Sequence, residues 1–237
     1  MMATWIFPDT EGGSFRYIYE ISKKLSNKGH SIYLTTQKIK NTTNYENIEG
    51  IFIYRYKILK FFRILFYLTT FFNSFNLSKK LLKQTQFNLI HCHSLIPGFS
   101  GAIFSKIYKI PLIYTFHVSY YQEYQDKINF QLKNRKYNVI KKFESIIVSK
   151  ILKWIETIIL NQSKKIIVLS QYSKEIIEKK LKIFNKIEII PIGIDEKKFY
   201  ITNDKLEIRK KLQLPLNKFI LLSIRRLDLR MGLENLL

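Results

Sequence analysis

The chain has one cysteine, five prolines and eight glycines in 237 residues. A single thiol, Cys92, permits no disulfide within the chain and no metal cluster built on cysteine, and it suits a reducing compartment. Sparse glycine and proline argue against collagen-like and low-complexity disordered classes, and no period marks a solenoid. Long apolar runs are also missing. The most apolar stretch, residues 61–77, is broken by Arg63, Asn73, Ser74 and Asn76 and falls short of the ~20 residues a membrane span needs. Residues 1–8 show no basic leader ahead of an apolar run, so no signal peptide is expected. Acidic residues are few: 18 against 40 basic ones, a formal net charge of +22.

That charge favours anionic partners. Three readings are ranked. First, a chain rich in Lys, Ile, Asn, Phe and Tyr and poor in Ala and Arg has the composition of an AT-rich genome, which raises lysine everywhere. Attraction to an anionic membrane surface comes second. Nucleic acid comes last and is not expected, because no binding motif accompanies the charge.

What is present is a core and a rhythm. Apolar residues make up 46% of the chain and aromatics 15%. Helical spacing at residues 14–28 (Phe15, Ile18, Ile21, Leu25) ends at Gly29, a helix-stop residue. Strands are predicted at 31–36 and 51–56, and a helix at 60–84 with a wide stripe of Phe61, Leu65, Leu68, Phe72 and Phe75. Next come a strand at 88–93, a helix at 97–108, a strand at 111–116 and a helix at 141–160 with Phe143, Ile147, Ile151, Ile155 and Ile158 expected inward. A strand at 165–170, a helix at 171–181 and a strand at 187–191 complete the alternation. Near-continuous apolar strands alternating with helices predict an α/β fold: a Rossmann-like parallel sheet with helices on both faces. Ligands in such folds bind where strands end. That edge collects the loops at 9–13, 93–97, 117–121, 170–173 and 192–195. A polar connector with a short helix follows over 195–212. Residues 218–224 are then expected to open a strand, 225–232 its loop, and 233–237 a further helix.

Gly12 and Gly13, after a strand and before a helix, allow backbone N–H groups to approach a ligand, with the helix N-terminus suited to phosphate. The third glycine of a dinucleotide fingerprint is missing, which argues against an NAD enzyme; a plain tight turn is an equal reading. His91 and His93 share one face of a strand. Two histidines could begin a metal site, but no third ligand stands out, no metal is expected, and a structural role ranks higher. His117 leaves a strand at the ligand edge, where an imidazole can hydrogen-bond a hydroxyl or phosphate, or move a proton. Arg225, Arg226 and Arg230 lie between a strand and a helix, suited to a diphosphate or simply to solvent.

Six segments in order resemble glycosyltransferase family 4, the "group 1" retaining enzymes: Gly12-Gly13 with Asn27-Lys28-Gly29-His30; Asn88-Leu89-Ile90-His91-Cys92-His93 (family D-x-x-H-x-H, with Asn for Asp); Ile110 through His117 (I-P-x-V-x-T-x-H); Leu169 through Lys174 (V-S-x-x-S-K); Ile190 through Phe199 (I-P-N-G-V-D-x-x-x-F, with Ile192 for Asn); and Arg225 through Leu233 (G-R-L-x-x-x-K-G-L, with Arg225 for Gly and Met231 for Lys). The resemblance implies the N-terminal half of a GT-B fold, residues 1–216, and a truncated start of the nucleotide-sugar domain, 217–237. It implies retaining transfer from a nucleotide-diphosphate sugar, a co-substrate rather than a cofactor, to a glycan or lipid-linked acceptor. His117 is the expected catalytic group. Gly12, Gly13, His93 and Ser170 are expected at the acceptor, and Arg226 and Arg230 at the donor phosphates. The family's Glu-x7-Glu motif is not in these residues. A binding half completed by a separate C-terminal chain, and an inactive truncated product, are therefore alternatives. The expected location is the cytoplasm, peripheral at the inner face of its membrane.

Overall fold

The computed structural model describes residues 1–59, 63–134, 139–184, 186–202 and 204–224. Seven strands, β1 (Ile32–Gln37), β2 (Tyr45–Ile48), β3 (Ile51–Tyr56), β4 (Ile90–Cys92), β5 (Leu112–Phe116), β6 (Lys165–Val168) and β7 (Ile187–Ile189), alternate with α1 (Gly13–Asn27), α2 (Arg63–Gln84), α3 (Leu95–Tyr108), α4 (Tyr120–Asn134), α5 (Val139–Gln162), α6 (Gln171–Ile176) and α7 (Lys205–Lys211). A π-helical turn, Ile177–Leu181, extends α6 to the end expected for that helix.

Strands β4, β5, β6 and β7 lie side by side and parallel, and β1 is parallel to β3. The N-terminal segment joins the two groups. Met2 bridges both Thr35 and Cys92, donating its N–H to the His91 carbonyl and accepting from the His93 N–H, while Ala3 donates to the Thr35 carbonyl. Met2 and Ala3 therefore lie between β1 and β4, at the centre of the sheet. Alternation along β1 covers both faces. Ile32 and Leu34 pack with Ile18 and Tyr19 of α1, while Tyr33 and Thr35 share a small cavity with Ser78 and Leu81 of α2. A second core joins Cys92, Leu112, Tyr114 and Phe116 to Leu95, Phe104, Leu152, Ile159 and Leu160 of α3 and α5.

Four expectations are corrected. Strand β2 is antiparallel to β3, so the sheet is mixed at that edge. Its four half-exposed residues are too short a pattern to read, and the Glu49–Gly50 turn, with φ of +50° and +78°, is the two-residue hairpin that produces it. Helix α4 is an addition to the expected elements; its sequence has too little apolar periodicity to predict it. On α5, Ile147 and Ile151 face outward; Ser145, Ser149, Leu152, Glu156 and Ile159 are buried instead. The Phe143 side chain lies outside the described residues. Residues 218–224 form no strand, and Phe219, Leu221, Leu222 and Ile224 are exposed. A strand exists only through its neighbours' hydrogen bonds, and none of the described residues pairs with this one.

Two compact units divide the chain, Met1–Ile192 and Gly193–Leu237. The division places residues 193–216 with the second unit, whereas the sequence pattern groups them with the first. In the second unit Asp204 caps α7, its carboxylate accepting from the Glu207 N–H at 2.8 Å. The expected loop at 225–232 and helix at 233–237 lie outside the described residues.

Candidate functional site

His91 and His93 alternate along β4, so both rings project from one face of the sheet, the face that carries α1, with ring centroids 4.1 Å apart. Parallel pairing with β5 sets Thr115 and His117 beside them. His91 Nε2 lies 2.8 Å from Thr115 Oγ1, and His117 Nε2 lies 3.4 Å from His93 Nδ1. Helix α1 closes the group from above: the Tyr17 ring meets His117 edge-on at 5.4 Å and His93 at 6.2 Å, and its hydroxyl is hydrogen-bonded to Thr115.

Burial lowers the proton affinity of all three rings. It holds His91 down to about 3, helped by the terminal amine and His117, and His117 down to about 4. His93 is pushed well below its ordinary value by burial, then by His91 and His117. All three are neutral at pH 7. A neutral His117 suits a hydrogen bond to a hydroxyl better than attraction to a phosphate. His117 Nδ1 and His93 Nε2 are buried and have no partner, so the cluster keeps two unused ring positions. Among the described residues no group of His, Cys, Asp and Glu could hold a metal ion.

Gly13 begins α1 one turn before Tyr17, the residue whose ring packs on His117. A Cβ built on Gly13 would meet nothing within 4 Å, so the loop has open space beside it. Gly12 takes the N-cap position, and no side chain caps the helix. The loop is anchored behind the glycines. Arg55, at the end of β3 and buried, forks onto Asp9, with Nε 2.6 Å and Nη2 2.9 Å from the carboxylate oxygens, and also reaches Glu46 at 2.8 Å. Ser170 ends β6 on the same edge of the sheet, but its hydroxyl is engaged, accepting from the Ser173 N–H at 3.2 Å as the cap of α6. Arg226 and Arg230 lie outside the described residues.

A second buried group supports the loop that follows His117. Glu156 of α5 is fully buried. Its carboxylate accepts from the Ser119 hydroxyl at 2.8 Å and the Tyr120 N–H at 3.0 Å, and also bonds the Tyr121 backbone. Burial raises its pKa to about 7 against those hydrogen bonds. Ser119 Oγ in turn accepts from the Gln122 N–H at 3.1 Å. The first turn of α4 is thus capped twice, by Ser119 and from α5 by Glu156. Sequence reasoning missed Tyr17, Arg55 and Glu156, and it gave no role to Asp9 and Thr115 although both lie in segments it singled out. The one available signal was a carboxylate inside the apolar pattern of α5.

The chain is similar to known proteins. It matches the family described as Glycosyltransferase Family 4 over residues 11–198. Over 151 residues it is 28% identical to the Escherichia coli UDP-Gal:alpha-D-GlcNAc-diphosphoundecaprenol alpha-1,3-galactosyltransferase, a match covering 62% of this chain and 34% of that protein. Sucrose-phosphate synthase from Thermosynechococcus elongatus superposes with a TM-score of 0.75 at 20% identity, over 100% of this chain and 58% of that one. The Anabaena protein HepE, solved in complex with UDP and glucose, superposes at 0.54 with 13% identity, over 90% of this chain and 50% of that one. The chain therefore spans between 34% and 58% of the length of these three proteins. With one family matched across most of its residues and the fold of about half a GT-B protein, the chain belongs to Glycosyltransferase Family 4.

Proposed function

We propose that this chain is the acceptor-side half of a retaining glycosyltransferase, which moves a sugar from a nucleotide-diphosphate donor to a hydroxyl of a glycan or lipid-linked saccharide. The observation that carries the reading is His117: a neutral imidazole whose buried Nδ1 has no partner, packed against Tyr17 in the first turns of α1. Such a ring accepts from or donates to a sugar hydroxyl without attracting a competing anion. Gly12 and Gly13 offer backbone N–H groups to the same ligand, and His93, behind His117, orients its ring. Ser170 borders the acceptor on the next strand.

The barrier to transfer is charge separation as the nucleotide leaves, and fixed donors and cations near the diphosphate lower it. Arg226 and Arg230 are proposed for that role, at the start of a donor-side domain that takes in residues 217–237. The remaining donor residues belong to the part of the relatives that this chain does not span, whether supplied by a longer chain or a separate one. The protein works in the cytoplasm at the inner face of the membrane. Support comes from the family, from the UDP-galactose and lipid-diphosphate acceptor in the name of the Escherichia coli relative, and from HepE, whose structure was solved with UDP and glucose.

The test is transfer from a panel of nucleotide sugars to lipid-diphosphate saccharides. The 237-residue chain alone is expected to transfer nothing, because leaving-group stabilisation comes from both sides of the cleft. Joined to a family donor domain it is expected to transfer, with His117→Ala lowering kcat by about a hundredfold. Robust transfer by the chain alone, or an unimpaired His117→Ala, contradicts the proposal.

A further inference from the structure

Helices α2 and α5 bury Leu81, Leu152, Ile159 and Leu160, but they also bury polar side chains and leave large apolar ones exposed. α5 buries Ser145, Ser149 and Glu156 while Ile147, Ile151 and Trp154 are 42%, 49% and 57% exposed. α2 buries Thr70, Ser74 and Ser78 while Leu68 and Phe72 are 47% and 55% exposed. A helix between a core and water ordinarily has the opposite arrangement. Scattered apolar side chains on a surface are normal, but a contiguous patch marks an interaction site. This patch is contiguous. Phe72 contacts Phe71 at 5.3 Å, Phe71 contacts Phe99 of α3 at 5.5 Å, and Phe99 contacts Trp154 of α5 at 5.8 Å. A band of rings runs across three helices.

The charge around the band is predominantly positive. α2 and α3 contain no acidic residue, and α5 has only Glu144 and the buried Glu156. Lys79, Lys80, Lys83, Lys106, Lys150 and Lys153 are exposed on the same three helices. Lys153 also lies 5.5 Å over the Tyr121 ring, which ties the band to the start of α4, four residues beyond His117. A second copy of the chain would bring these lysines against one another. An anionic lipid surface meets both requirements: apolar and aromatic side chains enter the headgroup–acyl boundary, and lysines reach lipid phosphates along their apolar stems. No helix among the described residues is long and apolar enough to cross a membrane, so contact is made by lying on it.

We propose that the α2–α3–α5 face is a docking surface for an anionic bilayer, with Phe72, Ile147, Ile151 and Trp154 as its inserted residues. The inference deepens the reading above, and rests on it only for the consequence that the His117 edge is presented to a lipid-linked acceptor. Docking is read without turnover, so a failed transfer assay bears on the function and not on this face.

The experiment is co-sedimentation of the purified chain with vesicles of phosphatidylcholine, with and without phosphatidylglycerol. Binding to the mixed vesicles that weakens with salt is expected. Ile147→Ser/Ile151→Ser, Trp154→Ser and Lys150→Glu/Lys153→Glu should each weaken it by about tenfold or more. Thermal unfolding should stay unchanged, because exposed positions carry little stability. Absence of binding to mixed vesicles overturns the proposal, as does equal binding to neutral ones or indifference to all three variants. Sedimentation velocity that shows a dimer dispersed by Ile147→Ser/Ile151→Ser also overturns it and assigns the face to a second copy.

Discussion

The buried carboxylate of Glu156 accepts the Ser119 hydroxyl at 2.8 Å, two residues beyond His117 on a chain segment 37 residues away in sequence. Burial raises Glu156 from 4.5 to about 7, so the folded state holds its proton more tightly than the unfolded state does. The sign follows: this group's contribution is fully present below pH 4.5 and is lost as pH rises through about 7. Glu156→Gln removes the ionisation. Wild type is expected to lose about 3 kcal/mol relative to Glu156→Gln between acidic and alkaline pH, measured by urea unfolding across that range. Glu156→Ala leaves the Tyr120 N–H without its acceptor and should cost about 1–3 kcal/mol at any pH. A pH-independent difference between wild type and Glu156→Gln would contradict the assignment.

The three histidines act in the opposite sense. His91, His93 and His117 are all lowered from 6.5, so below that pH the unfolded chain takes up protons that the folded chain refuses. Stability is expected to fall as pH drops below 6.5, by roughly 3 kcal/mol per unit once one of the three histidine protons is offset by the opposing effect of Glu156. Urea midpoints in mildly acidic buffers check the slope. Nuclear magnetic resonance of the His117 ring should show it neutral until the pH approaches about 4. Protonation near the ordinary histidine value would show that the cluster is open to water.

Arg55 and Asp9 are a buried pair, with side chains 1% and 6% exposed. Removing Arg55 leaves the Asp9 charge buried and should cost about 3–5 kcal/mol, and removing Asp9 should cost toward the lower end because Glu46 still faces Arg55 at 2.8 Å. Arg55→Ala and Asp9→Ala are expected in that order of severity by denaturant unfolding. The double variant is expected to cost less than the sum of the singles, since the interaction is lost only once. Additive losses would mean that the two side chains do not interact.

Gly101 holds α3 against the sheet. A Cβ there would come 2.4 Å from Cys92 Sγ and 3.3 Å from both Ile90 Cγ2 and Met2 Sδ. Gly101→Ala is expected to destabilise by about 1–3 kcal/mol. Cys92→Ala in the same chain should recover part of that loss by clearing the closest contact. Thermal melts of the single and double variants decide it; a neutral Gly101→Ala would show that helix and sheet are not that close.

Local chemistry alone determined the alternation of elements in this protein. Helix 14–28 ended at Gly29 because a residue at φ +88° can follow a helix there, and His91, His93 and His117 were legible at strand ends because apolar runs stop where they stand. Six short motifs in one order were enough to indicate the family. Only tertiary structure decided which face of α5 turns inward. Its isoleucines mark an apolar stripe, but a stripe does not say whether protein or another apolar medium will meet it, and the interior took Leu152, Ile159 and Leu160 together with Ser145, Ser149 and Glu156, leaving Ile147 and Ile151 outside. Tertiary contacts also chose the partners that build the site: Arg55 reaches Asp9 across 46 residues, and Glu156 reaches Ser119 across 37. Periodicity carries no information about such pairs, because each side chain's proton affinity and orientation are set by groups that only folding brings within hydrogen-bonding distance.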